Sequence, residues 1–395
     1  MRCLFTNKIH QIAEQLFKKI EDQRIGSKLG LFDGRFGILL FLAHYMRQFN
    51  NQTHQSTYDM FCENCFDELI SNEITHSYCS GLSGIFSCLK FANINDFLKV
   101  DYSDVQNAYE EILYNSMVYE FHLGHYDVLH GALGTALYFA NDAHFAGVAV
   151  KWLEENAVQK ADIMKWPSII DEESKKKGYN ICLSHGISSI IYVLCKIYNE
   201  GLLTNRVEAL IKGAVSYILS QELNPLEFGN FFPSQSTDND CKIYTSRLAW
   251  CYGDLGIAIS LWFAGKTLNN ISWQNKANEV MLFNSSRREI MRSGVKDAGL
   301  CHGSAGIAMM FQYMHEQTED NIFADTSKHW MKVTLDFAKF TDGLAGYKTY
   351  DPREKNGWRD EICLLDGIAG TGLMLLTAVD ANTSTASWTN LFMLS

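Results

Sequence analysis

Seven copies of one short pattern run from end to end of this chain, and they limit what it can fold into more than any other feature. Each copy is a polar or Cys/His segment, then Gly-x-x-Gly, then an apolar run. The first glycines are Gly34, Gly81, Gly131, Gly186, Gly253, Gly303 and Gly367, and the fourth copy alone has a different residue, Ser189, in the second glycine's place. Copies lie 47 to 67 residues apart, room for two helices and their connections. The runs after the glycines, such as ILLFLA and IAISLWFA, are apolar nearly all round, which marks buried helices. Between them lie amphipathic segments of helical period near 8–22, 57–71, 104–121, 146–160, 205–221, 273–289 and 325–341. On the third, Ser103 is expected as N-cap and Val105, Tyr109, Ile112 and Met117 as the inward face.

Seven helices of each kind predict an all-α protein: an α/α toroid of seven inner and seven outer helices, forming one domain over residues 1–395. Four prolines in the whole chain leave long helices uninterrupted. In such a ring alternate helices run the same way, so all seven glycine segments gather at one rim. The helix N-termini there are expected to offer partial positive charge to thiolates or enolates.

A chain of 395 residues with 47% apolar and 20% charged residues can bury a large core and is not of the disordered class. Its net charge of −11 gives no basic footprint for nucleic acid, though it is compatible with a cationic peptide partner. Eleven cysteines without a signal-like N-terminus point to reduced thiols and a cytoplasmic location.

The chemistry must come from the residues just before each first glycine. These are Asp33, Ser80, His130, His185, Tyr252, His302 and Asp366, preceded by Phe32, Cys79, Leu129, Ser184, Cys251, Cys301 and Leu365. A rim used only for capping would carry mainly Ser, Thr, Asp and Asn. Cys251, Cys301 and His302 belong to neighbouring copies, and two thiolates with an imidazole suit Zn²⁺ with one tetrahedral position left open. Cys79 has no histidine beside it, and Cys62 and Cys65 lie on an amphipathic segment. These three are expected to be packing residues.

Trp250-Cys251-Tyr252-Gly253-Asp254 and Cys301-His302-Gly303, set in seven such repeats, resemble the LanC family of lanthipeptide cyclases and their LanC-like relatives, over nearly the full chain. The resemblance implies that Cys251, Cys301 and His302 hold zinc, and that Asp127, His185, Arg247 and Tyr252 are functional residues. It implies intramolecular addition of cysteine thiols to dehydroalanine or dehydrobutyrine, making lanthionine and methyllanthionine rings. The implied substrate is a dehydrated precursor peptide, with a lanthipeptide dehydratase and an exporter as further partners and membrane association through that complex. Two alternatives remain open: a LanC-like adaptor that binds a thiol such as glutathione, and a zinc enzyme like the protein prenyltransferases, whose metal site includes a carboxylate. The long connections 158–180 and 222–247 are candidates for substrate contact.

Overall fold

The computed structural model describes residues 2–95, 97, 101–171, 175–236, 242–243, 246–379 and 388–394. Seven buried helices follow the seven glycines: α2 (Arg35–Phe49), α4 (Leu82–Ile94), α6 (Ala132–Tyr138), α8 (Ile187–Asn199), α11 (Asp254–Thr267), α14 (Ser304–Thr318) and α16 (Ile368–Thr377). Seven amphipathic helices alternate with them: α1 (Arg2–Glu21), α3 (Gln55–Ser71), α5 (Ser103–Leu123), α7 (Ala143–Asn156), α9 (Thr204–Ser220), α12 (Ile271–Ser285) and α15 (Asn321–Asp336). Two single turns, α10 (Pro225–Phe228) and α13 (Ile290–Ser293), and a 3₁₀ turn at Trp388–Phe392 complete the helical content among the described residues. No helix among the described residues is long and apolar enough to cross a membrane.

The residues form two compact units, Met1–Glu111 with Val295–Ser395, and Ile112–Gly294. In the first, α16 packs against α1, α2 and α14, α2 also touches α4, and α15 lies along α14. In the second, α8 lies between α6 and α11, while α7, α9 and α12 pair with α6, α8 and α11 respectively. Burial follows the pattern of the sequence: twelve consecutive residues of α11 are buried, whereas α15 buries Phe323, Trp330 and Val333 and leaves Lys328 and Lys332 exposed.

The expected face of α5 needs correction. Ile112 is 51% exposed, and the buried residues are Leu113, Met117 and Phe121, an i, i+4, i+8 row one step round the helix. Ser103 is the first helical residue rather than the cap; its backbone N–H and hydroxyl donate to Asp101 Oδ1 at 3.0 and 2.6 Å.

The second glycine of the motif is a steric requirement. A Cβ at Gly306 would lie 1.9 Å from the carbonyl oxygen of Leu300, and one at Gly370 equally close to that of Leu364. The segment before each helix thus folds back onto the first turn. Ser304, Ala305 and Gly306 N–H donate to the carbonyls of Asp297, Ala298 and Gly299, seven residues back in each case, and α2, α4, α6 and α16 open with the same seven-residue bonds. This overturns the expectation of an anion-seeking rim at these starts, because the backbone donors there are spent on the preceding loop. In the fourth copy Ser189 is buried, and both its Oγ and its N–H donate to Gly186 O, at 2.7 and 3.0 Å.

Within the first unit the loops are also joined in series. Phe32 N–H donates to Cys79 O, Leu365 N–H to Phe32 O and Cys301 N–H to Leu365 O, all at 2.9 to 3.0 Å. Phe32, Leu365 and Cys301, each two before a first glycine, are therefore held by their counterparts in the next repeat.

The long connections are where the sequence missed structure. A hairpin of β1 (Val158–Lys160) and β2 (Ile163–Lys165) precedes an antiparallel sheet of β3 (Ser168–Asp171), β4 (Lys176–Asn180), β5 (Gln235–Ser236) and β6 (Lys242–Ile243), in that order. A last hairpin pairs β7 (Thr349–Tyr350) with β8 (Trp358–Arg359).

Candidate active site

Strand β4 ends at Asn180 and delivers the chain to Cys182 and His185 just before α8. Asn180 Oδ1 accepts from Cys182 N–H at 3.1 Å, and the Cys182 sulfur accepts from His185 N–H at 3.3 Å, so the loop fixes the histidine backbone. His185 Nδ1 is hydrogen-bonded to Asp127 Oδ2, although the two are 58 residues apart. The other oxygen, Asp127 Oδ1, accepts from His130 N–H at 2.7 Å. Burial alone would depress the pKa of His185, but the hydrogen bond and charge of Asp127, with Cys251, hold it above the ordinary histidine value. Burial would likewise raise Asp127, yet His185 and the His130 N–H keep it below the usual carboxylate range. Both shifts favour the charged forms, carboxylate on Asp127 and imidazolium on His185.

The loop before α11 adds three more residues to this side. Arg247 Nη2 donates to Cys251 Sγ at 3.5 Å, and the Cys251 carbonyl accepts from Ser184 Oγ at 3.1 Å. The Tyr252 ring is 6.0 Å from that of His185, and its hydroxyl accepts from Asn180 Nδ2 at 3.3 Å. Burial pushes the Tyr252 phenol well up, so it stays neutral. Buried Cys182 is also driven up, to about 12, and behaves as a structural thiol. The His130 ring lies nearly parallel to that of His185, with centroids 5.9 Å apart.

In the other unit, Cys301 and His302 end the loop that opens α14. His302 sits between two carboxylates: its Nε2 is 3.7 Å from Asp297 Oδ2 and its Nδ1 is 3.7 Å from Asp366 Oδ1. Whichever nitrogen served as a metal ligand, the other would face a carboxylate, as ligating histidines usually do. Asp297 is itself fixed, accepting from Gly299 N–H and Tyr350 N–H at 3.0 Å each. Cys251, Cys301 and His302 make up a group that could hold a metal ion. Two thiols and an imidazole are the donors that zinc prefers. The ten described cysteines are thiols; Cys79 and Cys65 are buried and Cys62 is half-buried, with Cys79 and Cys62 raised by burial to about 12.

Sequence reasoning assigned no role to Asp297, Asp366 or Asn180. Asp366 occupies the register of His302 one copy further on, which was a usable signal. Asp297 and Asn180 each stand six residues before a first glycine, and only the folded loop shows what they hold.

The fold matches that of a solved nisin cyclase with a TM-score of 0.77 and 17% sequence identity, covering 100% of this chain and 98% of that one. Among curated proteins, the nisin biosynthesis protein NisC of Lactococcus lactis subsp. lactis is 24% identical over 327 residues, 76% of each chain. The glutathione S-transferase LANCL1 of Danio rerio is 27% identical over 193 residues, 48% of this chain and 40% of its own. The model of the lanthionine synthetase C-like proteins matches residues 27–393. The chain belongs to that family and has its α/α-toroid fold of seven inner and seven outer helices.

Proposed function

We propose that this protein is a zinc-dependent peptide cyclase that adds cysteine thiols to dehydroalanine or dehydrobutyrine in the same peptide, forming lanthionine and methyllanthionine rings. The observation that carries the reading is the donor set Cys251, Cys301 and His302 in a chain of the lanthionine synthetase C-like family. Cys251, Cys301 and His302 would hold the zinc, which would supply a Lewis acid able to lower the pKa of a substrate thiol, ordinarily about 8.5.

The protein's own residues account for the remaining work. As the carbon–sulfur bond forms at the β-carbon, the double-bond electrons move toward the α-carbon and its carbonyl, giving an enolate. His185 Nε2–H delivers a proton to the α-carbon. Asp127, bonded to Nδ1, fixes the ring and favours its charged form before the transfer. Arg247 has five N–H donors; one holds the Cys251 sulfur, and another serves the enolate oxygen. Tyr252, neutral and beside His185, lines the same side. The addition has no leaving group: the proton lost by the thiol is matched by the one gained at carbon. The substrate is then a dehydrated precursor peptide in the cytoplasm, with a dehydratase and an exporter as working partners.

The test is metal content with single-residue variants. Purified protein should carry about one zinc per chain, and Cys251→Ser or Cys301→Ser should lose it. His185→Ala should keep the zinc and slow ring closure by about 10²-fold or more. Zinc-free wild-type protein that closes rings, or His185→Ala at the parental rate, would overturn the reading.

The similarity to the Danio rerio protein favours a second reading, transfer of glutathione thiol to an acceptor. Its match spans under half of each chain, whereas that to NisC spans about three quarters. Glutathione conjugation to an electrophile without peptide ring closure would select it.

A further inference from the structure

Strand β4 ends on Asn180, whose backbone pairs with Gln235 of β5 and whose side chain is buried, 5% exposed. Gly186 makes room for it, since a Cβ there would lie 2.8 Å from Asn180 Oδ1. Asn180 has no part in the steps above, yet its amide joins the loop that carries His185 to the Tyr252 ring, within the Ile112–Gly294 unit.

The direction of those two bonds is fixed by their chemistry. Oδ1 accepts from Cys182 N–H at 3.1 Å, and a backbone N–H can only donate, so the amide cannot be turned over. The group 3.3 Å from the Tyr252 oxygen is therefore the Nδ2 amine, which also can only donate. A phenol hydrogen lies in the plane of its ring, on one side of the oxygen or the other. With the Asn180 side taken by an incoming N–H, the Tyr252 proton is turned to the opposite side. Among the described residues none accepts it there. An N–H donated to the phenol oxygen also polarises the O–H and strengthens it as a donor. Tyr252 is half-buried and, with Arg247, lines a cleft of about 780 Å³.

We infer that Asn180 is a positioning residue: its amide turns the Tyr252 hydroxyl proton outward, so that Tyr252 donates, beside Arg247, to the substrate carbonyl oxygen that becomes the enolate oxygen. The identity of that oxygen rests on the cyclase reading, whereas the direction of the Asn180–Tyr252 bond does not. Tyr252 keeps its proton throughout, and carbon is still protonated by His185. One amide thus serves both sides of the reaction, Oδ1 holding the His185 loop and Nδ2 setting the Tyr252 hydroxyl.

Two variants of the full-length, zinc-loaded protein separate those halves. In Asn180→Asp a carboxylate still accepts from Cys182 N–H but also accepts from Tyr252 O–H, so one bond is kept and the other reversed. In Asn180→Ser a neutral hydroxyl keeps the turn to Cys182 N–H and is too short to reach Tyr252, which covers the case of a buried carboxylate that prevents folding. The first readout needs no turnover. The C–O stretch of Tyr252, isolated as the infrared difference between a protein and the same protein with Tyr252→Phe, lies higher for a phenol that accepts a hydrogen bond than for one that only donates. It should move to lower frequency in both variants, with Asn180→Asp measured at a pH where it adds no protonated-carboxyl band. The second readout is ring closure, split into kcat and KM. Tyr252→Phe should lower kcat by about 10²-fold with little change in KM. Asn180→Asp should lose nearly as much and Asn180→Ser at least about threefold. Neither should slow Tyr252→Phe further by more than about twofold, because both act through the same hydroxyl.

An unmoved infrared band, or an Asn180 variant with the parental kcat, overturns the inference. So do losses that multiply in the Tyr252→Phe background, which would leave Asn180 only the His185 loop to hold. If rings close and the band does not move, the cyclase reading stands and the role of Asn180 falls. If the band moves as expected and no ring ever closes, the hydroxyl direction stands and the cyclase reading falls, with the oxygen Tyr252 was to serve.

Discussion

Gly306→Ala and Gly147→Ala change the same atom in opposite surroundings. At Gly306 the new methyl would lie 1.9 Å from the Leu300 carbonyl oxygen, a backbone atom in a segment whose N–H is tied to Leu365 O at 2.9 Å. Neither side can rotate away, so α14 must shift off its loop, at a cost near the upper end of the overpacking range, about 3 kcal/mol. At Gly147, within α7, nothing lies within 4 Å, and the exchange should stabilise by about 0.5–1 kcal/mol through the helix preference of alanine. The pair is therefore separated by about 3–4 kcal/mol, a factor of several hundred in the unfolding equilibrium. Urea unfolding followed by tryptophan fluorescence measures both, with Trp330 and Trp388 as buried reporters. Because the shifted loop carries Cys301 and His302, Gly306→Ala should also weaken zinc binding. A Gly306→Ala protein within about 0.5 kcal/mol of wild type would refute the claim that sterics fix the second glycine.

The Asp127–His185 pair makes a pH prediction. The raised pKa of His185 contributes stability that is present below about pH 6.5 and lost as pH rises through its folded value, whereas the lowered pKa of Asp127 contributes stability present above about pH 4 and lost as pH falls through its own. Asp127→Asn should therefore cost most between those limits, about 1–2 kcal/mol, and should drop the His185 pKa below that of wild type in an NMR titration. Parallel stability curves and an unmoved His185 would contradict this. Asp254→Ala strands three donors inside the second unit and should cost about 3–5 kcal/mol in urea unfolding, with a loss under about 1 kcal/mol as the contrary result.

The helical frame was legible because its signal is redundant. All fourteen long helices follow from a repeated glycine pair, an apolar run and an amphipathic segment, and each copy corroborates the others. The α5 face slipped by one residue because Ile112 and Leu113 are equally apolar, and only packing decides between them. The strands were illegible: at two to five residues each they carry too little alternation to read. Cys251, Cys301, His302 and His185 stood out because Cys and His are unexpected where caps belong. Asp297, Asn180 and Asp254 did not, since acids and amides are ordinary in loops and their roles come from the chain folding back.

Ring closure itself is the most direct measurement. A synthetic peptide with one cysteine and one upstream dehydroalanine, incubated with zinc-loaded protein and then with iodoacetamide, should keep its mass and resist alkylation. Protein carrying Cys251→Ser should leave the thiol fully alkylated. If protein with about one zinc per chain leaves every peptide thiol open to iodoacetamide at the rate of a protein-free control, the cyclase account is wrong.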